Sequence, residues 1–346
     1  MRAITLIPGK QGTLGVTEVP EPEPKPSQLL VQGLALGICG TDRELNSGEY
    51  GWPRTEPMIL GHESLGRVLQ SPEGSAYSPG DLVVGVVRRP DPKPCPACAR
   101  GEFDMCRNGE YTERGIKELD GYGSERWVVE AGYAIKIDPA LGELGVLVEP
   151  ASVVAKAWEH IEAIGSRAWF GPQNVLVTGG GPIGLLAALL GKQRGLDVHV
   201  LDRATEGVKP SLVADLGGTY HAGDSIESVG FKPDIIVEAT GSPTLVVEAM
   251  LNTAAAGIVC LTGVSSGGRL IRTDAGQINR DIVLENDVVF GTVNANLRHY
   301  RAAAAALAKA DQDWLSRLIT RRLPLDQAPA AFEPGEHVKV VINLET

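Results

Sequence analysis

Three short segments in the first half of the chain carry side chains that commonly bind metal ions. Cys39 lies in GICGTD, His62 and Glu63 follow about twenty residues later, and Glu149 lies in VEP. A thiolate, an imidazole and a carboxylate give a borderline-soft divalent ion three ligands and leave a fourth position for water or substrate, as a Lewis-acid site requires. A cysteine in an apolar run can equally be a core residue, so spacing alone leaves a catalytic metal site and a packed core as alternatives.

A second group of cysteines has the spacing C-x2-C-x7-C. Cys95, Cys98 and Cys106 lie in a stretch rich in Pro and Gly. Two cysteines at this spacing with a third nearby are typical of a closed structural zinc site, which needs four ligands. Glu110 and Asp91 are the candidates for the fourth ligand. A lobe that has lost its metal is the alternative.

The segment from Asn174 to Asp202 has the features of a dinucleotide-binding unit. An apolar run precedes Gly179, Gly181 and Gly184, which have the spacing G-x-G-x-x-G, and an apolar helical run follows them. The first glycine allows a tight turn, the second lets the backbone approach a pyrophosphate, and the third lets helix and strand pack closely. The helix N-terminus offers N–H groups to the phosphates. A glycine turn that binds nothing is the alternative.

The residues around this turn indicate which dinucleotide is bound. Asp202 ends the second strand-like run, where a carboxylate accepts hydrogen bonds from a ribose 2′-hydroxyl and repels a 2′-phosphate. Arg203 opposes this preference, because a guanidinium can pair with a 2′-phosphate. We therefore predict NAD as the cofactor and leave NADP open. Pro182, Ile183, Thr240 and Asn294 complete the predicted cofactor site.

The elements that must position these residues fall into different regions. Residues 1–150 contain short β-like runs broken by Gly and Pro, which is typical of a β-barrel-like domain. In residues 151–295 strands and helices alternate, which predicts a Rossmann domain with a parallel sheet. Residues 296–346 are predicted to form two helices and a final strand, VKVVINL, that returns to the first domain. The sequence therefore predicts an α/β fold.

Charge and hydropathy limit the classes of function. The 346 residues carry a formal net charge of −11, which argues against nucleic acid and anionic membranes as partners. The N-terminus, MRAITLIPGK, lacks the apolar core of a signal peptide, and no run of eighteen apolar residues occurs. We therefore expect a cytoplasmic protein whose five cysteines stay reduced.

The ordered set of motifs resembles the zinc-dependent medium-chain dehydrogenases. GICGTD, GHE and VEP occur in this order before the dinucleotide-binding segment. VRRP (87–90), the cysteine lobe, GEYTERGI (109–116) and DGYGSE (120–125) narrow the resemblance to the glucose dehydrogenase branch, whose members oxidise aldoses at the anomeric carbon. The resemblance covers essentially the full chain. It implies a GroES-like β-rich catalytic domain, a doubly wound Rossmann domain and a homodimer or homotetramer.

Carried over residue by residue, the resemblance makes Cys39 and His62 direct zinc ligands. Glu63 and Glu149 are the two carboxylates of the site, one binding zinc directly and the other directly or through water. Thr41 matches the hydroxyl that passes the substrate proton towards solvent. The alternative role of Thr41 is to cap the short helix that Asp42 also could start.

The same resemblance implies a set of sugar contacts. Glu113, in YTERGI, and Asn294, at the end of the last Rossmann strand, match positions that hydrogen-bond sugar hydroxyls in the family. Thr41 and Glu149 are the further predicted substrate contacts. Asn294 is also counted among the cofactor contacts.

The chain departs from the family pattern at two places. Pro92 stands where a fourth lobe cysteine is expected, and we prefer Glu110 over Asp91 as the fourth ligand because some family members use a carboxylate there. The segment IVLEND lacks a histidine that often contacts the sugar, which leaves the sugar open.

These motifs together predict a zinc- and NAD(P)-dependent enzyme that oxidises a glucose-like aldose to its lactone. The first alternative is a dehydrogenase of polyols, cyclitols or secondary alcohols with the same zinc and NAD machinery. The missing histidine and the nearby Glu285 favour this alternative. A non-catalytic NAD-binding protein is a further alternative, which the joint presence of Cys39, Thr41, His62 and Glu149 disfavours.

Overall fold

The chain divides into two compact units, which contain different parts of the sequence. A computed structural model describes residues 1–52, 54–265, 267 and 270–345. The first unit comprises residues 1–152 and 294–346, and the second comprises residues 153–293. No helix among the described residues is long and apolar enough to cross a membrane.

The secondary-structure elements are numbered in chain order. The strands are β1 (Arg2–Leu6), β2 (Gly15–Glu18), β3 (Gln28–Ile38), β4 (Met58–Ile59), β5 (Glu63–Gln70), β6 (Leu82–Gly85), β7 (Arg88–Arg89), β8 (Thr112–Arg114), β9 (Glu118–Leu119), β10 (Arg126–Glu130), β11 (Ala134–Lys136), β12 (Asn174–Thr178), β13 (Asp197–Asp202), β14 (Thr219–Ala222), β15 (Ile235–Glu238), β16 (Ile258–Leu261), β17 (Val288–Gly291), β18 (Ile319–Pro324) and β19 (Lys339–Asn343). The α-helices are α1 (Gly40–Ser47), α2 (Val148–Gly165), α3 (Pro182–Gln193), α4 (Val208–Asp215), α5 (Pro243–Leu251), α6 (Ala275–Glu285), α7 (Leu297–Ala308) and α8 (Gln312–Leu318). Short 3-10 helices cover Cys98–Arg100, Phe103–Met105, Ala131–Tyr133, Pro139–Leu147, Ile226–Val229 and Leu325–Phe332.

Strand β3 organises the first unit. The principal sheet has the strand order β11-β6-β5-β3-β19-β18, and β10 pairs with the first part of β3. At the far end of β3, Gly37 lies opposite Glu63 of β5, and Ile38 lies opposite Val340 of β19, both in antiparallel register. Residues before Ala35 alternate between buried and half-buried, whereas Leu36 to Ile38 are all buried. The chain therefore leaves β3 in a buried position, between the starts of β5 and β19.

The second unit contains a parallel sheet with the strand order β14-β13-β12-β15-β16-β17. Its central strands β12 and β15 contain continuous apolar runs, as strands covered on both faces do, and Val175, Leu176 and Val177 are fully buried. Strand order reverses between β12 and β15, which is where dinucleotides bind in doubly wound folds. The fold class predicted from the sequence, α/β with a Rossmann sheet, is confirmed.

The turn between β12 and α3 depends on glycine at two positions. Gly179 has a φ of +95°, a conformation that side chains rarely adopt. A Cβ on Gly184 would collide with the carbonyl oxygen of Gly179 and lie 3.3 Å from Val177 Cγ1 of β12. Close packing of α3 on the strand therefore needs glycine at position 184.

We expect Gly184→Ala to destabilise the protein by about 2 kcal/mol, because an added methyl group would overpack the turn. Urea unfolding of this variant and of Gly181→Ala measures the effect. Gly181 is a matched control in the same turn, since its φ of −79° is ordinary and nothing lies within 4 Å of an added Cβ. Equal unfolding midpoints for the two variants would contradict this account.

Candidate metal and cofactor sites

The first turn of α1 positions Cys39. Cys39 is the N-cap of the helix, and its backbone N–H donates to the Asp42 carboxylate at 2.9 Å. Asp42, three residues on, thereby closes the turn as the acidic member of a capping box does. Thr41 lies inside the first turn and is half-buried. The alternative role of Thr41 as a helix cap is therefore wrong.

Cys39, His62 and Glu63 form a group of possible metal ligands. Their ligand atoms all lie within 4.8 Å of one another. Cys39 Sγ is 3.1 Å from His62 Nε2, and two ligands of a tetrahedral zinc ion lie about 3.5 Å apart. His62 Nδ1 faces Asp42 Oδ1 at 3.3 Å, which orients the imidazole and leaves Nε2 for a metal.

Lys339 contacts this group from the C-terminal strand β19. Its Nζ donates to both oxygens of Glu63, at 2.7 and 2.6 Å, and to the carbonyl oxygen of Ile38 at 3.3 Å. Both side chains of the ion pair are buried. Lys339 was not recognised from the sequence. A lysine within the apolar run VKVVINL was the available signal, because a buried lysine needs a partner.

Glu149 lies in the first turn of α2, next to the ligand group. Among the described residues it is outside the set of ligand atoms within 4.8 Å that contains Glu63. Burial raises the pKa of Glu149 to about 7; the His62 charge lowers this pKa, and the Glu63 charge raises it. Glu63 and Glu149 therefore differ in position: the Glu63 carboxylate lies within 4.8 Å of the ligand atoms of Cys39 and His62, and Glu149 is outside that group among the described residues.

The electrostatics of the ligand group fit a bound cation. Burial raises the pKa of Cys39. Burial lowers the pKa of His62, but Cys39 and Asp42 outweigh it and raise this pKa well above its usual range. The same buried region also holds Glu63 and Glu149. A divalent cation would neutralise this concentration of acidic groups, so the residues suit zinc in charge and in ligand type.

The cysteine lobe forms a second group of possible metal ligands. The sulfur atoms of Cys95, Cys98 and Cys106 lie within 4.8 Å of one another. Cys95 Sγ accepts hydrogen bonds from the backbone N–H groups of Arg107 and Cys98, at 3.4 and 3.5 Å. These bonds lower the pKa of Cys95 to about 6, whereas burial raises that of Cys98 to about 11. Cys95 is therefore prepared for the thiolate form that binds metals.

The two candidates for the fourth lobe ligand have different surroundings. Glu110 is exposed, and among the described residues neither its carboxylate nor that of Asp91 belongs to the group of ligand atoms that the three sulfur atoms form within 4.8 Å. Asp91 is buried, and its backbone N–H donates to the sulfur of Cys98. Asp91 Oδ1 accepts from the backbone of Lys93 at 2.7 Å, while Oδ2 is buried without a hydrogen-bond partner among the described residues. A metal ion would satisfy this oxygen, so Asp91 fits the role better than Glu110.

Two predicted sugar contacts meet in the first unit. Asn294 Nδ2 donates to Glu113 Oε1 at 2.8 Å, although 181 positions separate the two residues. Arg88 also pairs with Glu113, at 2.9 Å, whereas Arg89 pairs with Glu130. Thr41 and Asn294 are half-buried and Glu113 is buried.

In the second unit, Asp202 is held by the chain itself. Its carboxylate accepts from the backbone N–H groups of Gly180 at 2.6 Å and Ala204 at 3.0 Å. Lys209 Nζ lies 3.0 and 3.1 Å from its two oxygens, and Arg203 is exposed. Burial raises the pKa of Asp202, but these hydrogen bonds outweigh it and lower the pKa. Lys209 was not recognised in the sequence.

The remaining predicted cofactor residues surround the glycine turn. Gly181 is the N-cap of α3, and Pro182 and Ile183 form its first turn, where proline needs no N–H partner. Thr240 follows β15, the strand beside β12, and its N–H and hydroxyl both donate to the buried Glu238. A Cβ on Gly179 would lie 2.9 Å from the Thr240 methyl group. These residues therefore border the point where strand order reverses.

Comparisons with known proteins agree with this arrangement. Residues 25–139 match the family model "Alcohol dehydrogenase GroES-like domain", and residues 142–344 match "Glucose dehydrogenase C-terminus". The chain is 37% identical to the glucose 1-dehydrogenase of Thermoproteus tenax, over 100% of both chains. It is 38% identical to glucose 1-dehydrogenase 1 of Caldivirga maquilingensis, over 99% of both.

A solved structure is similar over the whole chain. The glucose dehydrogenase of Haloferax mediterranei in complex with NADP, Zn and gluconolactone has a TM-score of 0.92 and 33% identity, with 100% of both chains covered. The two family models match successive parts of the chain, and this structure is similar to both parts together. The chain therefore belongs to the glucose dehydrogenase branch of the zinc-dependent medium-chain dehydrogenases.

Proposed function

We propose that this protein is a zinc-dependent glucose 1-dehydrogenase, which transfers a hydride from the anomeric carbon of a glucose-like aldose to NAD(P) and yields the lactone. The grouping of Cys39, His62 and Glu63 within 4.8 Å carries this proposal. Full-length relatives named glucose 1-dehydrogenase support the reaction, and the Haloferax mediterranei complex with gluconolactone supports the product.

Each residue of the ligand group has a defined task. Cys39 and His62 would hold the zinc ion, with Glu63 or Glu149 as the carboxylate ligand. When bound, the ion acts as a Lewis acid that lowers the pKa of the reacting hydroxyl. Thr41, two residues from the thiolate, accepts the hydroxyl proton and passes it towards solvent. Asp42 keeps the imidazole of His62 oriented, as a carboxylate beside a metal-bound histidine does.

We propose that Glu113 and Asn294, with Thr41 and Glu149, contact the sugar. Glu113 supplies a carboxylate acceptor and Asn294 an amide, which suit the several hydroxyl groups of an aldose. Their contact at 2.8 Å supports a shared role, because it joins side chains from distant parts of the sequence.

For the cofactor, we propose that Gly179, Gly181, Gly184, Pro182 and Ile183 bind the pyrophosphate through the turn and the N-terminus of α3. Asp202 binds the ribose of NAD. Lys209 and Arg203 bring positive charge to the same place, which supports use of NADP as well. Thr240 and Asn294 are the further cofactor contacts in this proposal.

We propose that the lobe holds a structural zinc ion through Cys95, Cys98, Cys106 and Asp91. Asp91 replaces Glu110 in this role because of its buried, unpartnered oxygen and its backbone bond to Cys98. A closed site with four protein ligands has no position for substrate, so this ion stabilises the lobe rather than catalysing.

We propose a homodimer or homotetramer that is formed through the second unit. Strand β17 is at the edge of the parallel sheet among the described residues, and edge strands pair readily. In the neighbouring helix α6, Val283 and Leu284 have 63% and 67% of their surface exposed. A second copy that meets this edge across a two-fold axis would cover both features.

We propose a cytoplasmic location, where thiols are kept reduced. All five cysteines of the chain are free thiols in the structure. Four of the proposed zinc ligands, Cys39, Cys95, Cys98 and Cys106, bind a metal as thiolates and so depend on that reduced state.

We expect Cys39→Ser to lower kcat/KM for glucose by about 10²–10³-fold, because the ion that polarises the hydroxyl would be lost. NAD affinity, measured by fluorescence titration, should be unchanged, since the glycine turn is intact. Cys260→Ala is the control, because Cys260 is a buried core residue of β16 and should leave the rate unchanged. Full activity of Cys39→Ser, or turnover that a chelator does not reduce, would contradict the zinc mechanism.

Asp202→Ala should weaken NAD binding about thirtyfold and NADP binding less, because a hydrogen bond to a charged acceptor contributes about 2 kcal/mol. Lys209→Met, which removes its ion-pair partner, should weaken NADP more than NAD. The dissociation constants of NAD and NADP, measured for both variants, test these opposite changes in cofactor preference. An unchanged NAD affinity in Asp202→Ala would refute the ribose role.

Asp91→Ala should lower the zinc content from about two ions per chain to about one, because a structural site needs four ligands. Elemental analysis of purified protein measures this ratio. Glu110→Ala is the matched carboxylate control and should retain both ions. Loss of an ion in Glu110→Ala but not in Asp91→Ala would restore Glu110 as the ligand, and one ion in the unaltered protein would mean a metal-free lobe.

A further inference from the structure

The carboxylate of Glu113 is bound on one side only. Oε1 accepts from Arg88 Nε at 2.9 Å, from Arg88 Nη2 at 2.9 Å and from Asn294 Nδ2 at 2.8 Å. Oε2 accepts no hydrogen bond from the part of the chain that the structure describes. The three donors that meet at Oε1 fix the orientation of the Glu113 carboxylate. Oε2 is therefore the oxygen that can accept a hydrogen bond from a ligand.

Arg88 is itself immobilised by contacts that leave it no part in substrate binding. It lies opposite Glu113 in the β7–β8 pair, and its Nη1 donates to the carbonyl oxygen of Asp104 at 3.1 Å. Its guanidinium carbon lies 3.7 Å from the centre of the Tyr111 ring. These contacts, with Glu113, the Asp104 carbonyl oxygen and the Tyr111 ring, occupy the guanidinium, so Arg88 acts through Glu113 rather than on a ligand directly.

The side-chain amide of Asn294, the second residue that donates to Glu113, is also held in one orientation. Its backbone has a φ of +60°, and its side-chain oxygen accepts from the N–H of Ala295 at 2.7 Å. The amide nitrogen must therefore face Glu113. Asn296, two residues on, donates to Asp104 Oδ1 at 2.7 Å. Asp104 therefore contacts both neighbours of Glu113: its side chain binds the segment that carries Asn294, and its carbonyl oxygen binds Arg88.

We infer that Arg88 is a positioning residue for sugar recognition: it saturates Oε1 of Glu113 and thereby presents Oε2 to one hydroxyl donor of the aldose. This inference rests on the proposed glucose 1-dehydrogenase function. A carboxylate held by a guanidinium accepts hydrogen bonds and donates none. The site therefore selects a sugar that has a hydroxyl, rather than a hydrogen atom, at the position facing Oε2.

Arg88 differs in this respect from its neighbour Arg89, which has the same side chain. Arg89 donates to Glu130 at 2.8 and 3.0 Å and lies over the Tyr133 ring, away from Glu113. Arg89→Met therefore removes a half-buried arginine–glutamate ion pair without removing a contact to Glu113. It separates a loss of general stability from a loss of carboxylate positioning.

Monodeoxyglucoses provide the test. The purified, zinc-loaded protein is assayed with glucose and with its 2-, 3-, 4- and 6-deoxy analogues, and kcat and KM are determined for each. In the unaltered protein one analogue should lose about 10²-fold or more in kcat/KM, because a buried acceptor is left unpaired. In Arg88→Met that penalty should shrink to less than about fivefold, with the loss on glucose appearing mainly in KM.

The controls separate a positioning role from a structural one. Arg88→Lys, which keeps a cation but loses the two-pronged contact, should show an intermediate penalty, and Arg89→Met should keep the full penalty. An equal loss of kcat/KM for glucose and every analogue in both Arg88 variants would overturn the inference. If the unaltered protein oxidises no aldose, the proposed function itself is wrong, and that result is visible before any variant is made.

Discussion

A lysine and a glutamate, both almost completely buried, form an ion pair at the centre of the first unit. Glu63 comes from the start of β5 and Lys339 from the start of β19, and the end of β3 lies between them. Taking two charges out of water is costly unless each finds its partner and further hydrogen bonds. The geometry of the ligand group therefore depends on the order of the strands in this sheet. The register that pairs the two charges also places Cys39 beside His62.

The sequence predicted those features that are encoded by residues close together in the chain. The G-x-G-x-x-G turn, the apolar parallel strands, the lobe cysteines and the Cys39 segment all have local spacing that carries physical meaning. For that reason the fold class and the family of the chain could be predicted from the sequence. Helices α4 and α6 and strands β14 and β18 were not predicted. Helix α4 has no amphipathic pattern in its sequence, and α6 has no buried residue.

Side-chain partners from distant segments were the main features that sequence reasoning missed. Lys339 and Lys209 have side chains of a type that is ordinary on a protein surface, and only the tertiary structure reveals the carboxylates that they face. For Arg88, in the VRRP motif, only the tertiary structure reveals its partner Glu113. The proposal of Asp91 as the fourth lobe ligand rests on the same kind of evidence. Glu110 is near Cys106 in sequence yet exposed, whereas Asp91 is buried against Cys98, so burial and not spacing distinguishes the two carboxylates.

The return of the chain to the first unit, where residues 294–346 supply β19, also sets an order of events during synthesis. Glu63 and Lys339 are 276 positions apart, and at about 5–20 residues per second the ribosome needs on the order of half a minute to cover that interval. The whole second unit, residues 153–293, is made within it. Until β19 emerges, Glu63 has no counter-charge and the edge of β3 stays open. The nascent first unit must therefore wait, incomplete, while the dinucleotide-binding unit can already fold.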